Sequence, residues 1–298
     1  MKSPQFGRVL TAMVTPFAPD GSLDFDVAIE LAQFLVDNGS DGLVLAGSTG
    51  EGSSLSDDEK LELFACIAGA VEVPVLAGST SSDTAHSLAL TARVAATGAS
   101  GVLATTPAYA RPNQRGIVEH FSAIARCTEL PIMLYDIPSR TGRKIAASTT
   151  IELVEQHENI VALKDASADL ANAAHLKAAL GDRLDLYSGD DSLVLPFMGI
   201  GGIGIVSVAA HWVGPEFAAM VRSAGEGDWS EAQRLNEMLA PSCSFESSEA
   251  YPNPMPTKAV MRALGFEVGE CRLPHGPSDA QLDRRASEII SSTQAARG

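Results

Sequence analysis

Cysteine, lysine and aromatic residues are all scarce in this 298-residue sequence. The four cysteines, Cys66, Cys127, Cys243 and Cys271, stand singly and form no C-x-x-C pair. That pattern argues against a disulfide framework or a thiolate metal site and fits thiols in a reducing compartment. Basic residues number 21 against 37 acidic ones, a formal charge of -16. A phosphate backbone or an anionic membrane surface prefers a basic face, so neither is an expected partner. A small anionic substrate stays open, because one local cationic pocket can reverse the field. No apolar stretch reaches the ~18 residues of a membrane span. Residues 1–7 carry no apolar signal core, and the sequence reads as a soluble cytoplasmic protein. The six histidines, His86, His120, His157, His175, His211 and His275, form no H-x-H or H-x-x-x-H pair. Most lie in helical patterns and read as surface residues; His211 is the one placed to approach a site. No acidic cluster has metal-site spacing, and Asp190-Asp191 reads as a loop or helix-capping pair.

What is present is a globular composition, 45% hydrophobic and 19% charged. Short apolar runs bounded by turn residues recur eight times: 9–14, 42–46, 74–77, 101–104, 131–135, 161–164, 184–188 and 203–208. Such runs fit strands buried on both faces. Helical patterns lie between them, at 26–38, 57–71, 84–97, 117–128, 149–156, 168–180 and 192–198. Eight strand–helix units suggest a closed parallel (β/α)8 TIM barrel, with an open doubly wound sheet as the alternative. Beyond the eighth run the strands stop. Patterns at 215–224, 229–239 and 256–264 predict helices, with a rigid Pro252-Asn-Pro-Met-Pro256 connector among them. The expected division is a catalytic barrel over residues 1–224 and a C-terminal helical extension over 225–298, packed on the barrel.

A parallel barrel keeps its reactive groups at the C-terminal strand ends. Those ends carry Ser48, Thr49 and Glu51, then Tyr109, Tyr135, Lys164, and Ser188-Gly-Asp-Asp191. Of the six lysines, Lys2, Lys60, Lys144, Lys164, Lys177 and Lys258, only Lys164 ends an apolar run. Lost solvation there favours the neutral amine, the nucleophile of Schiff-base chemistry. A strand-end lysine paired with Asp165 is the plainer reading, and from this residue alone the two stand level. Gly47-Ser-Thr-Gly50 offers backbone N–H groups that suit a carboxylate or phosphate, though an ordinary glycine turn has the same look. Gly199-Ile-Gly-Gly-Ile-Gly204 matches G-x-G-x-x-G but leads into a strand, not the helix a dinucleotide site needs. Its glycines are expected to let backbone approach a substrate.

Together these motifs resemble the pyruvate-dependent class I aldolase (N-acetylneuraminate lyase) superfamily, and within it the dihydrodipicolinate synthase family. The likeness runs from Leu10-Thr-Ala-Met-Val-Thr-Pro-Phe17 to Pro252-Asn-Pro-Met-Pro-Thr-Lys258. Its most specific parts are Gly47-Ser-Thr-Gly-Glu51, Leu134-Tyr-Asp-Ile-Pro-Ser-Arg-Thr-Gly142, Leu163-Lys-Asp165 and Ser188-Gly-Asp-Asp191. The resemblance implies a barrel enzyme, usually a homotetramer of two tight dimers. It condenses pyruvate with aspartate 4-semialdehyde for lysine and diaminopimelate biosynthesis. No cofactor is implied beyond the covalent Schiff base, which Lys164 would form. Tyr135 would be the general acid/base, with Ser48 and Tyr109 completing a hydroxyl relay. The matching tyrosine reaches into a neighbouring subunit's site. Gly47, Ser48 and Thr49 would hold the pyruvate carboxylate, Arg140 the semialdehyde carboxylate, and Ile205 would lie near substrate-contacting backbone.

The sequence departs from that pattern in places. Ser48 stands where threonine is common, a form also seen in N-acetylneuraminate lyases. Asp136 stands where asparagine is common, and Ala108 where many members have a first tyrosine. Asp57 and Lys60 replace histidines, and His86 a glutamate, of the pocket that binds inhibitory lysine. Weak or absent lysine inhibition is therefore expected. Two other functions fit less of the pattern: a sugar-acid lyase, for N-acetylneuraminate or a 2-keto-3-deoxy acid, and a keto-acid-binding protein without turnover.

Overall fold

The structure is a computed structural model that describes residues 4–297; Lys2 lies outside them. Eight parallel strands close into one barrel in chain order. They are β1 (Val9–Ala12), β2 (Gly42–Leu45), β3 (Val75–Gly78), β4 (Gly101–Thr105), β5 (Ile132–Asp136), β6 (Ile160–Asp165), β7 (Asp185–Ser188) and β8 (Gly204–Ser207). Closure is made by β1 and β8, with Leu10 opposite Val206. Every predicted apolar run overlaps one of these strands.

Alternate residues of the strands point into the lumen. Leu10, Val44, Leu76, Leu103, Met133, Ala162, Tyr187 and Val206 fill it, with Phe6 beside them. The barrel is a packed core, and only its C-terminal mouth is left for chemistry. The intervening residues face outward onto helices, which explains the continuous apolar runs.

The helices of the wall are α1 (Phe25–Asp37), α2 (Asp57–Ala68), α3 (Thr84–Val94), α4 (Gln114–Arg126), α5 (Pro138–Thr141), α6 (Ala147–Gln156), α7 (Leu170–Leu180), α8 (Val194–Gly199) and α9 (Ala210–Glu226). Several start on side chains that accept backbone N–H groups: Asp24, Ser56, Asp83, Asn113 and Asp169. Part of the acidic excess is therefore spent on caps. The extension is α10 (Trp229–Phe245), α11 (Met255–Ala263) and α12 (Ala280–Arg297).

Three features differ from the sequence expectation. Helix α9 starts at Ala210, before Pro215, because two helical pieces join across a kink at Val213, where φ is -127°. Pro215 begins the second piece rather than the helix. Helix α12 was not expected; it buries only Leu282 and Ala286, too little apolar periodicity to read. The third concerns Gly204. A side chain there would meet the Arg8 carbonyl oxygen at 1.8 Å. At that position the glycine lets β1 and β8 approach, not a substrate.

Candidate active site

Strand register places the two central groups together. Tyr135 pairs with Lys164 across β5 and β6, and both side chains follow lumen-facing Met133 and Ala162 by two residues. The Lys164 ammonium lies over the Tyr135 ring, 4.4 Å from its centroid. Both are buried, at 4% exposure each. Gly189, just past β7, lies against the Lys164 stem: a side chain there would meet Lys164 Cγ at 3.0 Å and Ala166 Cβ at 2.9 Å. The glycine of Ser188-Gly-Asp-Asp191 thus leaves room for the lysine.

Residues 47–52 fold back over the end of β2, Gly52 N–H donating to the Gly47 carbonyl at 3.0 Å. Ser48 and Gly47 are partly exposed, and Thr49 is buried. The loop is fastened from behind by the C-terminal extension. Asn253 Nδ2 donates to Thr49 Oγ1 at 2.9 Å, and Arg140 donates to the Asn253 carbonyl at 3.3 Å. Glu51 lies 2.8 Å from the Lys258 ammonium, both side chains almost wholly buried. The same ammonium donates to the Glu270 carbonyl at 3.0 Å. Glu51 Oε2 accepts the Arg272 N–H at 2.8 Å. Asn253 Oδ1 is buried and has no donor among the described residues. Asn253, Lys258 and Glu51 are site-building residues whose roles the sequence reading missed. The one signal was the rigid proline-rich connector that carries Asn253.

Arg140 sits on α5 and is exposed apart from its contact with Asn253. Tyr109 stands apart. It is 96% exposed, at φ 66°, in a tight turn closed by Ala110 N–H to the Ala108 carbonyl at 2.7 Å. A tyrosine in the left-handed region is strained. The turn is held at its base: Arg111 donates to the Gly142 carbonyl at 3.0 Å, and Arg143 to the Arg111 carbonyl at 3.1 Å. Among the described residues, no hydrogen bond joins the hydroxyls of Ser48, Tyr135 and Tyr109 within one chain. Ile205 packs its side chain outward with Val9 and Val194, which leaves only its main chain for the mouth.

Other ionisable groups near the mouth are structural. His211 Nε2 accepts Val14 N–H at 3.1 Å, and Nδ1 donates to the Val208 carbonyl at 2.7 Å. Burial pushes it down to about 4, so it stays neutral and latches β1 to the segment after β8. His120 is also buried, against Thr84, and held down to about 4 by desolvation. The surface reading fails for His120. Asp190 caps the turn that follows it, accepting Ser192 N–H at 2.9 Å. Asp191 accepts from Ser207 Oγ at 2.8 Å and Ala209 N–H at 2.7 Å. Glu246, just past α10, is buried beside Asp191; burial first, and then the Asp191 carboxylate, raise its carboxyl well above the ordinary range. Among the described residues, no three His, Cys, Asp or Glu are arranged to hold a metal ion.

The model of the dihydrodipicolinate synthetase family matches residues 5–293. The chain belongs to the dihydrodipicolinate synthetase family. The 4-hydroxy-tetrahydrodipicolinate synthase of Moorella thermoacetica is 49% identical over 273 residues, 91% of this chain and 92% of the relative. The synthase of the same name from Thermosynechococcus vestitus is 44% identical over 283 residues, 94% and 95% of the two chains. Among solved structures, the family member from Cyanidioschyzon merolae with lysine bound superposes with a TM-score of 0.95 at 40% identity, covering 98% of this chain and 99% of its own. The Bacillus anthracis dihydrodipicolinate synthase gives 0.92 at 37% identity, covering 96% and 98%.

Proposed function

We propose that this chain condenses pyruvate with L-aspartate 4-semialdehyde through a Schiff base on Lys164, giving 4-hydroxy-tetrahydrodipicolinate for lysine and diaminopimelate biosynthesis. The observation that carries the reading is the buried Lys164–Tyr135 contact at the barrel mouth, in a chain of this family. The names of the curated relatives favour the synthase over a sugar-acid lyase or a non-catalytic binder. The Lys164 amine attacks the pyruvate ketone and water leaves, forming an iminium on Lys164. That iminium is the electron sink, so no cofactor is called for. Loss of a methyl proton gives an enamine, whose carbon attacks the aldehyde. The amine of the semialdehyde then displaces Lys164 and closes the ring.

Tyr135, beside the lysine, is the proton carrier. Gly47, Ser48 and Thr49 hold the pyruvate carboxylate, Arg140 the semialdehyde carboxylate by a charge-assisted pair, and the Ile205 main chain borders the substrate. Ser48 and Tyr109 connect Tyr135 to solvent. The exposed Tyr109 on its strained turn supports a partner site as its destination, and with it a homotetramer. The outer core shared by β1, β8 and α9 to α12 supports a barrel of residues 1–224 with an extension of 225–298 packed on it. A cytoplasmic setting follows from the substrates; no helix among the described residues is long and apolar enough to cross a membrane.

At the positions of the lysine pocket, Asp57 lies 2.8 Å from His86, and Lys60 is buried nearby. The carboxylate and the imidazole at these positions are already paired with each other, which leaves them poorly placed to receive lysine. Rates should hold steady in low-millimolar lysine; a steep fall would overturn that reading. The function itself is tested by borohydride trapping with pyruvate, mass mapping of the adduct, and turnover with semialdehyde. An adduct on Lys164 with semialdehyde-dependent pyruvate consumption is expected. An adduct without that turnover would move the search to other aldehydes.

A further inference from the structure

Directly after the Tyr135–Lys164 pair, on the outward face of the wall, Asp136 pairs with Asp165 in the same β5–β6 register. Adjacent strands stand ~4.8 Å apart, so the two carboxyls are neighbours. Both are buried, at 2% and 1% exposure. Each closes a loop. Asp136 Oδ1 accepts Ile145 N–H at 3.1 Å, which ties off the 137–145 segment that carries Arg140. Asp165 Oδ1 accepts Ser167 N–H at 2.8 Å, at the start of the segment that follows Lys164. Asp165 Oδ2 is buried and has no donor among the described residues. The charged groups facing the pair are Lys144 and Asp169, which are bonded to each other at 2.5 Å and leave little net charge over for it.

Two neighbouring buried carboxyls with no cation of their own do not both ionise cheaply. We propose that Asp136 and Asp165 share one proton, and that this shared proton positions the Arg140 loop against Lys164, making use of the second substrate sensitive to pH. Asp165 Oδ2 is the empty acceptor such a proton would satisfy. Burial, with Asp165 adding to it, pushes Asp136 up to about 7, and burial raises Asp165 as well. Loss of the shared proton sets two charges against each other across β5 and β6 and strains both loop ties. Neither residue touches substrate; both act through Arg140 and Lys164.

The proposal rests on the Arg140 reading for its kinetic part, and its thermal part uses no substrate. Asp136→Asn keeps the acceptor for Ile145 N–H and supplies a donor for Asp165 Oδ2 without a second ionisation. The sign follows from linkage. A carboxyl raised from its unfolded value near 4 to about 7 costs the native state progressively as pH rises through that window. The melting temperature of Asp136→Asn should therefore gain on the unsubstituted protein between pH 5 and about 7, then hold its lead. In the unsubstituted protein, KM for the semialdehyde should rise roughly three- to tenfold across neutrality, and the variant should lose that limb. Asp165→Asn should do the same, and the double variant should add little, because one proton is at stake. A melting gap that does not change with pH would overturn the shared proton. A pH-dependent gap with an unchanged KM profile would overturn the positioning role. If neither protein used the semialdehyde at all, the failure would lie with the substrate, and the melting series would still decide the proton.

Discussion

The barrel wall and the C-terminal extension meet at the same mouth and contribute in opposite ways. The wall supplies the groups proposed to carry the chemistry: Lys164 and Tyr135 on neighbouring strands. The extension supplies holding contacts: Asn253 to Thr49 and Arg140, Lys258 to Glu51, and Arg272 to Glu51. The lesson is that burial of a charged side chain at this mouth does not by itself mark reactivity. Lys258 is more buried than Lys164, yet it has a carboxylate beside it and a phenyl ring, Phe17, 4.1 Å away. What sets Lys164 apart is that it faces the lumen with a phenol beside it and, among the described residues, no carboxylate in a salt bridge with it.

Substitutions can break or sharpen this contrast. Lys164→Ala should abolish the pyruvate adduct altogether; substantial trapping in that variant would move the nucleophile elsewhere. Lys258→Met should leave Glu51 buried without its counter-charge and cost about 3–5 kcal/mol of stability, read by denaturant melts. A Lys258→Met protein that is stable yet forms no adduct would make Lys258 chemical and erase the distinction. Arg140→Ala should raise KM for the semialdehyde roughly 10- to 100-fold while adduct formation with pyruvate persists. Equal loss of both would make Arg140 part of the scaffold. Asn253→Ala, the mildest, should raise KM for pyruvate roughly five- to tenfold through a looser Thr49, with kcat nearly kept. If kcat fell instead, the extension would share in the chemistry.

The sequence was legible where physics is local and periodic. Eight apolar runs became eight strands because a doubly buried strand has nothing polar to interrupt it. Lys164 and Tyr135 stood out because each ends such a run. The contacts of Asn253 and Lys258 were not legible, since their partners are about two hundred residues away in sequence and no spacing records the meeting. Helix α12 was hidden for a different reason: most of its surface faces solvent, so its apolar stripe is too thin to read. His211 was placed near the mouth correctly, but its backbone latch depends on Val14, at the other side of the barrel seam.

The straps from Asn253 and Lys258 also set an order of events in time. A chain made from its N-terminus exposes Lys164 and Tyr135 to the cell well before Asn253 and Lys258 exist. Until those late residues arrive, the loop proposed for the keto acid's carboxylate lacks its grip. On the proposed function, a polypeptide released before the extension is made would hold the Lys164 amine without the straps that fix its carboxylate loop.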